Sequence, residues 1–315
     1  MRLIDQIRTG CSLGISGAGY VPSAEWESLD KRLRDAVDGI PVIVADNIDE
    51  FFYDSHPWLR KRDQMEREET QDSKPPERLV LADEYPNAAP PFPRMWIEWK
   101  PSTPWWRQVA SRFGALVSSE LVDGEFRIEI CGFCQIPGKA VIMCSRGLWV
   151  TADQQGVCRS IEETKVQLKA DLNEQSQEGV VYVFAHVPLL TMCFMNCSNV
   201  HVDWLPAAPE RDKAFMRKHG ILPARRVGNI VITPMTKLIG PVLADGRESI
   251  EHRKRQAANL CRGHFKTYTE ERKLFGKVAG RFFWRPQDRN SNSQREVERG
   301  EYRINTHGID VKNSK

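Results

Sequence analysis

The sequence predicts an α+β (mixed α/β) fold, a central mostly antiparallel or mixed sheet with flanking helices. Three observations predict it. A helical period passes directly into a buried strand over residues 22–46. Two long strand-like runs flank a tight turn between residues 125 and 153. Short strand patterns then recur to residue 284. The chain has 315 residues and 41% hydrophobic content. That suffices for one large or two medium cores.

The first helix is read from "VPSAEWESLDKRLRDAVDG". Ser23 can cap it, Gly39 ends it, and Trp26, Leu29, Leu33 and Val37 share one face at three- and four-residue spacing. "IPVIVAD" follows as a buried strand ending at Asp46. Residues 60–79 are highly charged and close on Pro75-Pro76, a solvated helix end and loop. Arg94–Lys100 reads as a half-buried strand, with Met95, Ile97 and Trp99 alternating with Trp96 and Glu98. Thr103 and Pro104 form a cap and first-turn pair, so "WWRQVASRFGALVSS" reads as a second amphipathic helix.

"EFRIEICGFCQ" and "AVIMCSRGLWVTADQ" flank the turn "IPGK" as an antiparallel pair. "SIEETKVQLKADLNEQ" reads as a short helix, "GVVYVFAHVPLL" as a strand, and "NVHVDWL" as another strand. After Pro206 the composition shifts. "PERDKAFMRKHG" is a short basic helix with Pro209 in its first turn and Gly220 after its end. "RRVGNIVITPM" is a strand and "RESIEHRKRQAANLC" a helix. "HFKTYT" and "GRFFWRP" are two strands around "LFGKVAG". This divides the chain into a core at residues 1–205, a small basic α+β module at 206–290, and a polar, flexible tail at 291–315.

Charge is uneven. The net charge is +3. Residues 46–100 hold 13 acidic against 8 basic side chains, and residues 201–300 hold 11 acidic against 21 basic. The basic part is therefore suited to an anionic partner. No apolar run is long enough to span a membrane. "MRLIDQIRTG" lacks the apolar core of a secretory signal. A cytoplasmic location, no membrane partner and reduced thiols are expected.

Cys131-Gly132-Phe133-Cys134 has the spacing of a zinc knuckle or a redox pair. It lies in a strand, however, where residues three apart face opposite ways, so the expectation is buried packing residues. Cys193 and Cys197 are read likewise. No phosphate-binding glycine loop, nucleophile elbow or zinc-protease motif is present, and no cofactor or metal is expected. Asp46, Asp49 and Glu50 end a strand, where α/β sheets carry ligands. With Glu98 and Lys100 of "IEWK", Asp46 follows the Asp…Glu-x-Lys order of metal-dependent nucleases. The alternative is an acidic turn beside a surface pair.

The densest chemistry lies in "NLCRGHFKTYTEERKLFGKVAGRFFWRP", residues 259–286. Alternation puts His264, Lys266 and Tyr268 on one face of the first strand, and Arg281 and Arg285 on one face of the second. If those faces merge, Arg262, Lys266, Lys277, Arg281 and Arg285 make a phosphate-binding patch. His264, with His252 as second acid–base group and Tyr268 beside it, would add metal-independent RNA cleavage. The plainer reading is a solvated sheet face above an aromatic core.

The blocks "RGHFKTYT", "LFGK" and "GRFFW", with His252 upstream, resemble an uncharacterised family of bacteriophage, prophage and environmental-bacterial proteins. "PNAAPPFPRMWIEW", "MCFMNCSNV" and "RRVGNIVITP" extend the resemblance over roughly residues 40–290. It implies a mobile-element setting and brings no activity with it. Where that family has a His-x-Arg-Gly-like turn, this chain has Gln287-Asp288-Arg289-Asn290. A catalytic His at that place would be missing here. The functional expectation is a phage-associated protein that binds RNA or DNA through its basic face. The alternative is a protein-interaction or assembly factor, which nine tryptophans and the segments "PSTPWW" and "AAPPFP" would suit.

Overall fold

The computed structural model describes residues 1–9, 13–15, 31–46, 48, 85–101, 110–136, 141–163, 174–206, 208–232, 259–261, 264–274, 276–284, 287–289, 302–305 and 308–311. The first seven strands are β1 (Leu13–Ile15), β2 (Val42–Val44), β3 (Arg94–Trp99), β4 (Arg112–Val122), β5 (Glu125–Gln135), β6 (Val141–Asp153) and β7 (Cys158–Glu163). After them come β8 (Val200–Trp204), β9 (Val227–Ile232), β10 (Asn259–Cys261), β11 (His264–Tyr268), β12 (Gly280–Trp284), β13 (Gln287–Arg289), β14 (Tyr302–Asn305) and β15 (Gly308–Val311). The helices are α1 (Leu3–Arg8), α2 (residues 31–37), α3 (Glu174–Met195) and α4 (Pro209–His219).

Among the described residues, eleven strands form one mixed sheet in the order β1-β6-β5-β4-β3-β2-β9-β14-β15, with β7 beside β6 and β8 beside β9. The class is α+β, as the sequence predicts. Its centre is parallel: β2 pairs in the same direction with β3 (Ile43 opposite Ile97) and with β9 (Ile43 opposite Gly228). The antiparallel ladder β3–β4–β5–β6 grows outward from there. β10 pairs with β13, and β11 with β12, in two further small sheets.

Strand alternation divides the buried side chains between two layers. One face of the sheet gathers Ile43, Met95, Ile97, Trp99, Phe113, Ala115, Val117, Ile128 and Ile130 against α3. The opposite face gathers Val42, Trp96, Leu116, Phe133 and Val227 against α1 (Leu3, Ile4, Ile7) and α2 (Leu33, Val37). Burying each such large side chain contributes about 1.5–3 kcal/mol, so both layers are needed to hold the strands between them.

Several elements match the reading of the sequence. α2 keeps Leu33 and Val37 inside; the rest of that expected helix lies outside the described residues. β2, β3, β5, β6, β8 and β9 fall where strands are expected. Pro209 opens α4 and Gly220 closes it in the left-handed region, at φ 74°.

Three elements differ. Residues 112–119, expected as part of a helix, form β4, because Phe113, Ala115 and Val117 step by two into one core and Leu116 into the other. Residues 179–190, expected as a strand, lie within α3. Described residues Phe184 to Phe194 are buried all round the helix, and a helix covered on every side shows no amphipathic period. Pro188 stands within it. Residues 160–163, expected in a helix, belong to β7, which pairs with β6.

The sheet also crosses the expected boundary at residues 205/206. β9 pairs with β2, β8 and β14. Residues 302–305 and 308–311, expected in a polar tail, form β14 and β15. Residues 259–261, expected to end a helix, form β10. The charged segment 60–79 lies outside the described residues.

Gly114 shows how tightly β4 meets its neighbour. A Cβ there would lie 2.3 Å from Cζ2 of Trp96 and 3.0 Å from Cδ2 of Leu3. Both belong to packed, buried side chains. Gly114→Ala is expected to cost about 1–3 kcal/mol by overpacking, read as a lower urea midpoint at unchanged slope. An unchanged midpoint would show that the indole can move aside.

Candidate functional site

β11 and β12 pair antiparallel, as the sequence suggests, but their register decides what each face carries. His264 stands opposite Trp284, Lys266 opposite Phe282 and Tyr268 opposite Gly280. Residues directly opposite each other share a face. The His264/Lys266/Tyr268 face of β11 therefore continues into Trp284, Phe282 and Gly280. The other face joins Phe265 and Thr267 to Phe283 and Arg281.

Arg281 consequently lies on the opposite face from Lys266 and Tyr268, and the expected merged patch does not form around it. Its Nε donates to Thr267 Oγ1 at 2.8 Å, and a terminal nitrogen donates to the Pro86 carbonyl. The first bond crosses the hairpin, and the second ties it to the segment before β3. Lys266 is exposed, with Nζ 5.1 Å from the Tyr268 ring centre. Tyr268 meets Phe282 edge-on at 6.0 Å. Lys277 is exposed in the turn between the strands. His252, Arg262 and Arg285 lie outside the described residues. Gln287 to Arg289, where the resembling family has its His-containing turn, form β13 opposite β10.

The hairpin is held from beneath by one amide. Asn199 Nδ2 donates to the Phe283 carbonyl, and Asn199 Oδ1 accepts from the Phe283 N–H, both at 3.0 Å. Phe265 and Phe283 pack on Phe194 at the end of α3. The underside differs from the one expected: Phe265 is joined there by Phe283 and Arg281, while Phe282 and Trp284, expected beneath, lie on the face of Lys266 and Tyr268.

A second cluster lies at the carboxyl end of the parallel strands. The β2–β3 register brings Asp46 beside Lys100, whose backbone N–H donates to Asp46 Oδ1 at 2.8 Å. Glu98 is fully buried. Its Oε2 accepts from the N–H groups of Leu3 (3.0 Å) and Ile4 (3.3 Å) and from Trp96 Nε1 (3.2 Å). Its Oε1 accepts from Arg112 at 3.0 Å, and the same guanidinium nitrogen lies 4.0 Å from Asp46 Oδ1. Asp46, Glu98 and Lys100 are thus neighbours, as the Asp…Glu-x-Lys order requires. Glu98 nevertheless serves as an acceptor for four donors, one of them cationic, and has little capacity left for a metal ion. Asp49 and Glu50 lie outside the described residues.

Burial raises the Glu98 pKa above the usual carboxylate range, opposed by Arg112 and the N–H donors. Burial likewise raises Asp46, opposed by Arg112 and the Lys100 N–H. Asp46 Oδ2 is buried and has no hydrogen-bond partner among the described residues, so the charged form lacks one of its usual contacts there.

The cysteines behave as packing residues. Cys134 is buried in the α3-side core and Cys131 faces the α1 side, as alternation demands. Burial pushes the Cys131 thiol up to about 12 and the Cys158 thiol to about 11. Cys193 and Cys197 are also buried, and burial raises both. Among the described residues no group of three or more His, Cys, Asp or Glu side chains is placed to hold a metal ion. His186 is buried in α3, with Nδ1 2.8 Å from the Tyr85 hydroxyl. No described helix is long and apolar enough to cross a membrane.

The surface that residue-by-residue reading left unassigned is α4 and the turn after it. None of the residues of α4 is buried. Arg211, Lys213, Arg217 and Lys218 project from it, and Arg225 and Arg226 follow, all exposed. Among the described residues only Lys213 of these six has a carboxylate partner, Glu210 at 3.0 Å. The signal in the sequence was the excess of cations, with the large apolar residues Phe215 and Met216 adjacent rather than three or four apart, which separates this helix from an ordinary amphipathic one.

Comparison with models of protein families, with curated proteins and with solved structures finds no match to this chain.

The raised Asp46 pKa has a testable sign. The folded state holds the proton more tightly than the unfolded chain, so stability falls as pH rises through the folded value. Asp46→Asn removes that ionisation. Its unfolding midpoint is expected to exceed the parent's at pH 8, with the gap closing as pH falls toward about 4. A loss of stability at pH 8 would mean that the charged carboxylate is the favoured form.

Proposed function

We propose that this protein binds nucleic acid through the phosphate backbone, at the surface formed by α4 and the turn that follows. One observation carries the reading: the cations of α4 face solvent and are left largely without acidic partners. An exposed charge already satisfied by a carboxylate contributes little to binding an anion. Unpaired arginines and lysines spaced along one helix match the regular charge of a polynucleotide. The positive character of the last turn (Arg217, Lys218, His219) also sits well with the helix dipole.

The helix is attached by the segments around it. Arg8 donates to the Leu222 carbonyl at 2.8 Å, and the Ala224 N–H donates to Asp5 Oδ1 at 2.8 Å. The chain after α4 is thereby fixed to α1, while the helix itself stays uncovered. Lys266 and Lys277 on the β11–β12 hairpin offer a smaller set of exposed cations. The reading is of binding rather than cleavage. Arg281, one of the cations expected to bind phosphate, is engaged by Thr267 and Pro86.

Filter binding of short RNA and DNA at two salt concentrations tests this. With about four phosphate contacts, affinity should fall about a hundredfold between ~50 and ~200 mM salt. The double variant Arg217→Glu, Lys218→Glu should weaken binding and flatten the salt slope by about two contacts. The pair Lys266→Glu, Lys277→Glu should have the smaller effect. No retention at low salt, or retention indifferent to the α4 variant, would rule the reading out.

A further inference from the structure

Beside α4, at the end of β8, an aromatic–guanidinium group stands at the surface. Trp204 ends the strand and is 36% exposed, high for a large aromatic. The Arg226 guanidinium carbon lies 4.7 Å from the Trp204 ring centre and 4.8 Å from that of Phe92. The two rings meet edge-on at 6.3 Å and 67°. Arg226 is therefore stacked in the angle between them.

Contact with both rings restrains the guanidinium, and among the described residues Arg226 makes no side-chain hydrogen bond or ion pair. The support is rigid. Trp204 pairs with Gly228 of β9, and the N–H of Leu205 donates to the Val227 carbonyl at 2.7 Å. A side chain at residue 228 would come within 2.9 Å of the indole, so the glycine gives the ring its seat. Arg226 as a mere lid over the core would account for Phe92, which packs against the α3-side core. It does not account for an indole left open to solvent at the strand end.

We infer that the polynucleotide bound by this protein is single-stranded, and that Trp204 with Arg226 receives one unstacked base and its phosphate. This rests on the nucleic-acid reading above. The chemistry is general: the part of the indole that Arg226 leaves open to solvent offers a stacking surface to any base, and a guanidinium offers paired donors to a phosphate oxygen. In a duplex both faces of each base are covered by its neighbours, so an aromatic platform adds nothing unless a base is freed. The α4 cations are indifferent to strandedness, whereas Trp204 is not. Base–aromatic stacking strengthens binding by about tenfold per base.

The test measures fluorescence anisotropy of one labelled oligonucleotide, alone and annealed to its complement, at matched salt with the full chain. The expected result is preference for the single strand by about tenfold. Trp204→Leu should bring the ratio of single-strand to duplex affinity close to one, and Trp204→Phe should keep much of it. Arg226→Lys retains the charge but loses the planar fork, and should also reduce the ratio. Thermal melting of each variant separates this from unfolding. Equal affinity of the parent protein for the two forms, or an unchanged ratio in Trp204→Leu, overturns the inference and leaves the α4 reading standing. Binding of neither form removes both.

Discussion

A single buried carboxylate links the layers of this molecule. Glu98 lies inside the sheet, and removing a carboxylate from water costs several kcal/mol unless donors replace the solvent. Here two backbone N–H groups at the start of α1, the Trp96 indole and Arg112 supply them. The consequences run outward. Glu98 holds α1 on the sheet. Asp5 and Arg8 of α1 hold Ala224 and Leu222. That turn positions the uncovered α4 and leads into Arg226 and β9. The basic surface is thus connected, through three elements, to one acidic side chain in the core.

The late hairpin follows another logic. Its strands are tied down by Asn199, which satisfies both backbone groups of Phe283, and by Arg281, which reaches the carbonyl before β3. Polar residues that look poised for chemistry in the sequence are partly structural. A guanidinium that bridges two segments has its donors directed at the protein. One that lies on aromatic rings, as Arg226 does, makes no such bond among the described residues. The same residue type has opposite meanings, and only its partners distinguish them.

Much of the fold was legible from residue patterns. The basic helix showed its proline entry and glycine exit. β5 and β6 showed alternation around a turn. β2 showed a short apolar run between Gly39 and Asp46. Two of the errors share a cause. α3 and β4 are buried on more than one side, and burial all round removes the polar residues that reveal a period. Val180, Val181 and Val183 favour a strand by their branching, yet the surrounding chain makes the segment a helix. At the candidate site, the Asp…Glu-x-Lys order named Asp46, Glu98 and Lys100, which the strand register brings together, whereas the reading of a surface pair fails because Glu98 is buried. That Glu98 would be occupied by the N-terminus of the chain could not be seen, because those partners lie about ninety-five residues away in sequence.

Local chemistry alone determined the class of fold, the uneven charge, the packing role of the described cysteines and the basic character of α4, since each depends on spacing and composition within one segment. Tertiary structure decided which faces meet. Alternation says that Arg281 and Lys266 each choose one of two sides. Only the register of β11 against β12 says that they choose different ones, because a shift of one residue reverses every side chain on a strand. The same holds for Trp204 and Arg226. Nothing in either segment announces the other, and it is the pairing of β8 with β9 that places an indole beside a guanidinium.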